Sequence, residues 1–213
     1  MAKAPPSIKI TLLGNPGVDK TKIISRYIDD VYEENNTPNI GANYSEKIIN
    51  KNGKEYELNI WDTSGQEKFH ALNKHFYKDA YIIILVYDIT SQESLEHLKT
   101  IWYPDLLKYG EKYTILAVVG NNCHLYKGDR LADENYAKDF AKEIGATFHL
   151  VSAKSGEGIN KLFDTVVDRF LSPEFQIKYE EMMKLKGNTH VLKEDNNNNN
   201  KDKESKNSKK KCY

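Results

Sequence analysis

The chain has 213 residues, 39% of them hydrophobic, a size that favours one domain with a substantial core. Its 31 basic and 31 acidic residues balance overall but not locally: residues 1–185 hold 23 and 27, residues 186–213 hold eight and four. A mildly acidic body with a basic tail gives no sign of a nucleic-acid partner and suits the tail to an anionic surface. Two cysteines, Cys123 and Cys212, exclude a disulfide framework and fit a reducing, cytosolic setting. No apolar run approaches the ~20 residues needed to span a bilayer, and Met1–Ser7 lacks the apolar centre of a signal peptide.

Ile8–Leu13 reads as a strand buried on both faces. Ile23, Ile24, Tyr27, Ile28 and Val31 then recur at helical spacing, predicting a helix from about Lys20 to Val31. Tyr32–Asn43 is polar and reads as a loop. Tyr44–Asn50 and Glu55–Trp61 flank Asn52-Gly53, which predicts an antiparallel hairpin. Asp62–Lys78 reads as loop with irregular helix, and Tyr81–Tyr87 as a central strand. Ser91 can cap a helix running to about Tyr109, with Leu95, Leu98 and Trp102 on one face. Pro104 should kink or interrupt it. Ile115–Gly120 is another buried strand, Ala132–Ile144 a helix stopped by Gly145, and Thr147–Val151 a short last strand. Ile159, Leu162, Phe163, Val166, Val167 and Phe170 form an amphipathic stripe. Strands alternating with helices predict an α/β fold with a mostly parallel sheet. Beyond Ser172-Pro173 the pattern decays, and the Asn196–Asn200 run with its polar continuation is low in complexity, as in a disordered tail.

Two motifs carry chemistry. Gly14-Asn15-Pro16-Gly17-Val18-Asp19-Lys20-Thr21 sits between a strand and a helix, in the pattern G-x-x-x-x-G-K-[ST] with Asp19 in place of the second glycine. In such a loop backbone N–H groups and the helix N-terminus receive phosphates, Lys20 reaches the outer phosphates and the Thr21 hydroxyl ligates Mg²⁺. About 40 residues downstream, Trp61-Asp62-Thr63-Ser64-Gly65-Gln66-Glu67 follows a strand. There Asp62 can hold Mg²⁺ through water, Gly65 can aim its N–H at a terminal phosphate, and Gln66 can orient an attacking water. Taken alone, each stretch is also compatible with an ordinary turn.

With these motifs in place the chain resembles a small GTPase of the Ras superfamily, most closely its Rab branch. Trp61–Glu67 resembles the switch II motif, Leu85-Val86-Tyr87-Asp88-Ile89-Thr90 a Rab segment, and Ile40-Gly41-Ala42-Asn43-Tyr44 the Rab switch I segment. Lys68-Phe69-His70-Ala71-Leu72 looks like the endosomal Rabs, and Trp102-Tyr103-Pro104 is similar to Rho proteins without a Rho-type insert. The likeness covers roughly residues 8–171. It implies a P-loop domain over 7–172, with a six-stranded, mostly parallel sheet, one antiparallel hairpin strand and five helices. Residues 1–6 would be an extension and 173–213 a hypervariable Asn/Lys-rich tail. It further implies GTP or GDP with Mg²⁺, and slow hydrolysis with Gln66 positioning water. Effectors and regulators would be bound through the switch regions in a cycle serving vesicle traffic. The protein would be cytoplasmic, peripheral on the cytosolic face of an endomembrane such as the endosome, and prenylated at Cys212. Lys209-Lys210-Lys211 would be the second membrane signal, since one lipid anchors only marginally. The alternative for Cys212 is a free thiol on a solvated tail.

The sequence also departs from that family. Where it carries Asn-Lys-x-Asp to read guanine, this chain has Asn121-Asn122-Cys123-His124. Asn121 matches and can reach the base edge. Asn122 replaces the Lys that packs over the base, and His124 replaces the Asp that accepts from guanine. Ser152-Ala153-Lys154 matches the last base-contacting loop. Asn39 stands in switch I where the family's Thr closes over Mg²⁺ and the γ-phosphate. Asp19 either repels the phosphates, at about 4 kcal/mol for a charge pair ~4 Å apart, or turns outward to pair with Lys22. The expectation is weakened or altered nucleotide binding; the alternative is a pseudo-GTPase that recruits partners without cycling.

Overall fold

Alternating apolar strands and helical stripes assemble as the periodicity predicts. A computed structural model describes residues 4–34, 42–63, 74–125 and 132–184. The strands are β1 (Ser7–Leu13), β2 (Ala42–Lys51), β3 (Lys54–Thr63), β4 (Ile82–Asp88), β5 (Ile115–Asn121) and β6 (Thr147–Leu150). They form one six-stranded sheet in the order β2-β3-β1-β4-β5-β6. Only β2 and β3 run antiparallel; the other pairings are parallel. Asn52 and Gly53 both take positive φ, 55° and 76°, as the two-residue hairpin turn requires. The hairpin strands are longer than their apolar alternation suggests, because pairing extends from Lys51↔Lys54 to Ala42↔Thr63.

The helices are α1 (Lys20–Asp29), α2 (Lys74–Tyr77), α3 (Gln92–His97), α4 (Tyr103–Tyr109), α5 (Glu134–Glu143) and α6 (Ile159–Leu171). A π turn, Leu98–Trp102, joins α3 to α4, so the two make one continuous helix and the domain has five, as the resemblance implies. Asp30, at φ 56°, ends α1 two residues before Val31, and the Arg26 guanidinium donates to its carbonyl (2.8 Å) and carboxylate (3.0 Å). Ser91 caps α3 as predicted, its Oγ accepting from the Ser94 N–H at 3.2 Å. Pro104 does not break the helix. The Tyr103 N–H instead reaches back five residues to the Leu98 carbonyl, and this wider turn absorbs the missing donor and the bulk of the proline ring. Helix α5 begins at Glu134, not Ala132, because the Asp133 carboxylate accepts from the Asn135 and Tyr136 N–H groups. Gly145, at φ 68°, stops it as predicted.

Ile83, Leu85 and Tyr87 of β4 join Leu95, Leu98, Trp102, Leu106 and Phe140 in one buried cluster. In a second core α1 meets α6, where Tyr27 stacks on Phe163 with centroids 3.7 Å apart. All six stripe residues of α6 are buried. The chain divides into two compact units, Met1–Phe170 and Leu171–Tyr213. In the second, residues 173–184 are helical, where the apolar pattern alone showed only decay. The missed signal is Ser172-Pro173: the Ser172 Oγ accepts from the Phe175 N–H at 3.3 Å, and proline suits the first helical position.

Candidate nucleotide site

The loop between β1 and α1 is shaped by close approach at one end and open space at the other. Gly14 lies at φ 146°, and a Cβ there would fall 2.1 Å from the Val86 carbonyl oxygen, so only glycine fits. Gly17, at φ 80°, has nothing within 4 Å of where its Cβ would be. Lys20, 5% exposed, donates from Nζ to the Gly14 carbonyl (2.6 Å) and the Asn15 carbonyl (2.9 Å). The loop thus holds its ammonium beneath itself, where a phosphate group entering the loop would meet a fixed positive charge. Pro16 is exposed, while Val18 is buried and turns its carbonyl inward.

Asp19 takes the left-handed conformation, φ 63° and ψ 38°, that the motif's glycine would supply. Asp tolerates that region better than most residues. Its Oδ1 lies 3.2 Å from the Lys22 Nζ. Of the two readings of Asp19, the structure shows the pairing with Lys22. Partial burial pulls the Lys22 ammonium down, and the Asp19 carboxylate with Tyr32 more than reverses that, leaving it above its usual value.

Thr21 and Asp62 come together as the metal assignment requires: the Thr21 hydroxyl donates to the Asp62 Oδ2. Asp62 is 2% exposed, and its other oxygen, Oδ1, is buried without a hydrogen-bond partner. Burial pushes this carboxyl above its ordinary range, against the Thr21 hydroxyl and the Lys20 charge. A buried carboxylate oxygen left without a donor, beside a hydroxyl, fits a hard divalent cation completed by phosphate oxygens and water. Among the described residues no group of three His, Cys, Asp or Glu could hold a metal by itself.

At the base end, Asn121 is fully buried and acts as a strut. Its Nδ2 donates to the Val18 carbonyl (3.1 Å) and its Oδ1 accepts from the Ala153 N–H (3.1 Å). The sequence assigns Asn121 to the base edge; the structure spends one donor and one acceptor of its amide on the protein. Asn122, at φ 69°, turns its amide to the Asp88 Oδ2 (2.9 Å). His124 is exposed, its Nδ1 2.9 Å from the Ser152 Oγ, which also accepts from the Ser155 N–H (3.0 Å). Between them Cys123 is buried, and burial with the nearby Glu157 pushes its thiol up to about 11. The Ala153 and Lys154 carbonyls accept from Arg26 at 2.9 and 3.0 Å, which ties this loop to α1. Asn39, Gly65, Gln66 and Cys212 lie outside the described residues.

Two groupings escaped sequence reasoning. Asn15, read there as a nucleotide-binding position of the loop, accepts with its side chain from the Trp102 Nε1–H (2.9 Å) and meets the His97 Nδ1 (2.7 Å). Tyr44, Trp61 and Phe76 form an aromatic row, with centroids 5.1 and 6.2 Å apart. It runs beside an open cavity of about 560 Å³ lined by Lys9, Asn59, Asp79 and Tyr81. The period-2 alternation of β2 and β3 could have shown Tyr44 and Trp61 sharing a face; Phe76 could not be placed that way.

A glycine loop closing on a buried lysine, with a threonine–aspartate pair at the next strand end, defines a P-loop domain. The Ras family model matches residues 9–172, and the chain belongs to that family. It is 36% identical over 167 residues to Ras-related protein Rab-22A of Homo sapiens, covering 78% of this chain and 85% of that protein. It is 36% identical over 159 residues to Ras-related protein Rab-31 of Rattus norvegicus, covering 75% and 80%. Identity to Ras-related protein Rab-21 of Bos taurus is 36% over 165 residues, covering 78% and 73%. Within the family the chain is Rab-like.

Proposed function

We propose that this chain is a Rab-like GTP-binding switch of intracellular membrane traffic whose handling of the base differs from its relatives. The observation that carries the reading is the Lys20 ammonium, buried and held by the Gly14 and Asn15 carbonyls beneath the loop. Thr21 and Asp62 would hold Mg²⁺, which supplies charge neutralisation at the phosphates. The pairing of Asp19 with Lys22 supports a phosphate site that still works. Gln66 would position water for slow hydrolysis, with Asn39 and Gly65 at the outer phosphate. The Tyr44–Trp61–Phe76 row, on the hairpin and in α2, is the surface offered to effectors and regulators. Cys212 with the Lys209–Lys211 run would hold the chain to the cytosolic face of an endomembrane, in the endosomal system by the likeness of Lys68–Leu72.

A pseudo-GTPase that binds partners without cycling is the second reading. Asn122 turned to Asp88 and His124 in place of an acceptor favour it. Nucleotide content of the purified full chain separates the two, followed by titration with GDP, GTP and ATP in Mg²⁺. Near-stoichiometric bound GDP sinks the pseudo-GTPase reading; no nucleotide bound in any titration sinks the first.

A further inference from the structure

We infer that His97 and Trp102 are positioning residues for the phosphate loop, acting through the Asn15 side chain and requiring the His97 ring in one neutral tautomer; this rests on the nucleotide reading above. The indole Nε1–H of Trp102 can only donate, so the atom of Asn15 that faces it at 2.9 Å must be the amide oxygen. That fixes the amide the other way round at its far end, where Nδ2 donates to the His97 Nδ1 at 2.7 Å. Nδ1 must then be bare and the ring proton must sit on Nε2. The Glu93 carboxylate lies on that side, its Oε1 3.9 Å from Nε2. Each partner thereby dictates the next, from indole to amide to imidazole.

The chain of contacts continues into the site. The same Asn15 whose side chain is gripped at both ends presents its backbone carbonyl to the Lys20 Nζ at 2.9 Å. Trp102 is 2% exposed and is placed by the π turn, so one end of the grip is rigid. The His97 side chain is 31% exposed. An N–H on Nδ1 would stand against the Asn15 N–H, so that end of the grip holds only while Nδ1 is bare. Of the charged groups, Glu93 on the ring's own helix lies on the Nε2 side and Lys20 meets the Asn15 carbonyl from the loop.

The test uses the full chain. Imidazole ¹⁵N spectra at about pH 8, assigned against His97→Gln, should show Nε2 protonated and Nδ1 bare. A protonated Nδ1 overturns the inference. Asn15→Asp, which can only accept, should move a proton onto Nδ1; an unchanged ring overturns it too. Amide hydrogen exchange over residues 14–20 should rise about two- to tenfold in His97→Ala and in Trp102→Phe, the worth of one hydrogen bond. His97→Gln, whose amide oxygen can take the place of Nδ1, should restore most of the protection. Equal exchange in all variants overturns the positioning role. Release of a fluorescent GDP should quicken by a similar factor in His97→Ala and in Trp102→Phe, and should return most of the way to the parent rate in His97→Gln. Equal release in all variants overturns the link to the site. If no GDP is retained by the parent chain, the nucleotide reading fails, while the exchange and ring spectra still decide the grip.

Discussion

Asp62 divides its carboxylate between two environments: one oxygen takes the Thr21 hydroxyl, and the other is buried without a donor. A carboxylate in that condition costs stability until a cation arrives, on the order of 1–3 kcal/mol for one orphaned oxygen. Asp62→Asn should therefore leave the metal-free melting temperature unchanged or raised, and should abolish the rise that Mg²⁺ with nucleotide gives the parent chain; differential scanning calorimetry reads both. Asp19→Gly should relieve the left-handed strain, about 1 kcal/mol, and raise affinity for GDP. If calorimetric titration finds the GDP affinity unchanged, the Lys22 pair has already cancelled the charge at that position. His124→Asp should restore an acceptor and raise the preference for GDP over ADP at least tenfold, since bonds to a charged group contribute about 1.5–3 kcal/mol each. At this scale sequence reached the residue types but only some of their partners. Asp19 with Lys22 is a helical i,i+3 pair and could be written down in advance. Asn122 with Asp88 and Asn15 with Trp102 join segments distant in sequence, through side-chain directions that no local periodicity encodes.

Elements were legible where apolar spacing repeats and less so where a single residue sets a boundary. The stripe of α6 and the continuous apolar runs of β1, β4 and β5 announce buried elements, and all are buried as their patterns require. Pro104 misleads in a physically informative way. Its rule predicts a broken helix, yet packing on both sides keeps the axis continuous and takes up the difference as one π turn. That turn sets the direction of Trp102. Restoring a regular α-helix would rotate all of α4 by about 100° relative to α3. Pro104→Ala alone should therefore keep the π turn, change stability by no more than ~1 kcal/mol and leave Trp102 fluorescence unshifted. A clear spectral shift would mean that the proline, rather than the packing, maintains the turn.

For the molecule as a whole, acid sensitivity should appear well above the carboxylate range. His149 on β6 is half-buried, and burial with the nearby Lys161 charge lowers its tendency to take a proton. Its Nε2 is also buried without a hydrogen-bond partner. The unfolded chain takes that proton first, so this residue costs nothing above its unfolded value of about 6.5 and removes stability as pH falls below it. Urea midpoints should drop between about pH 7 and 5, and His149→Gln should flatten that part of the profile. The division of charge between body and tail gives a second expectation: Cys212→Ser should release the protein from membranes in fractionated cells. An unaltered membrane fraction would argue against a lipid there.

The buried strut of Asn121 has a consequence for how such chains are judged. Its amide joins the loop after β1 to the loop after β6, donating to the Val18 carbonyl and accepting from the Ala153 N–H. A lineage that gave up nucleotides would still be selected to keep this asparagine, because removing it would unfasten two loops at once. Survival of the letter at position 121 is thus poor testimony about activity. The neighbouring exchanges to Asn122 and His124, which the fold tolerates, are the better witnesses.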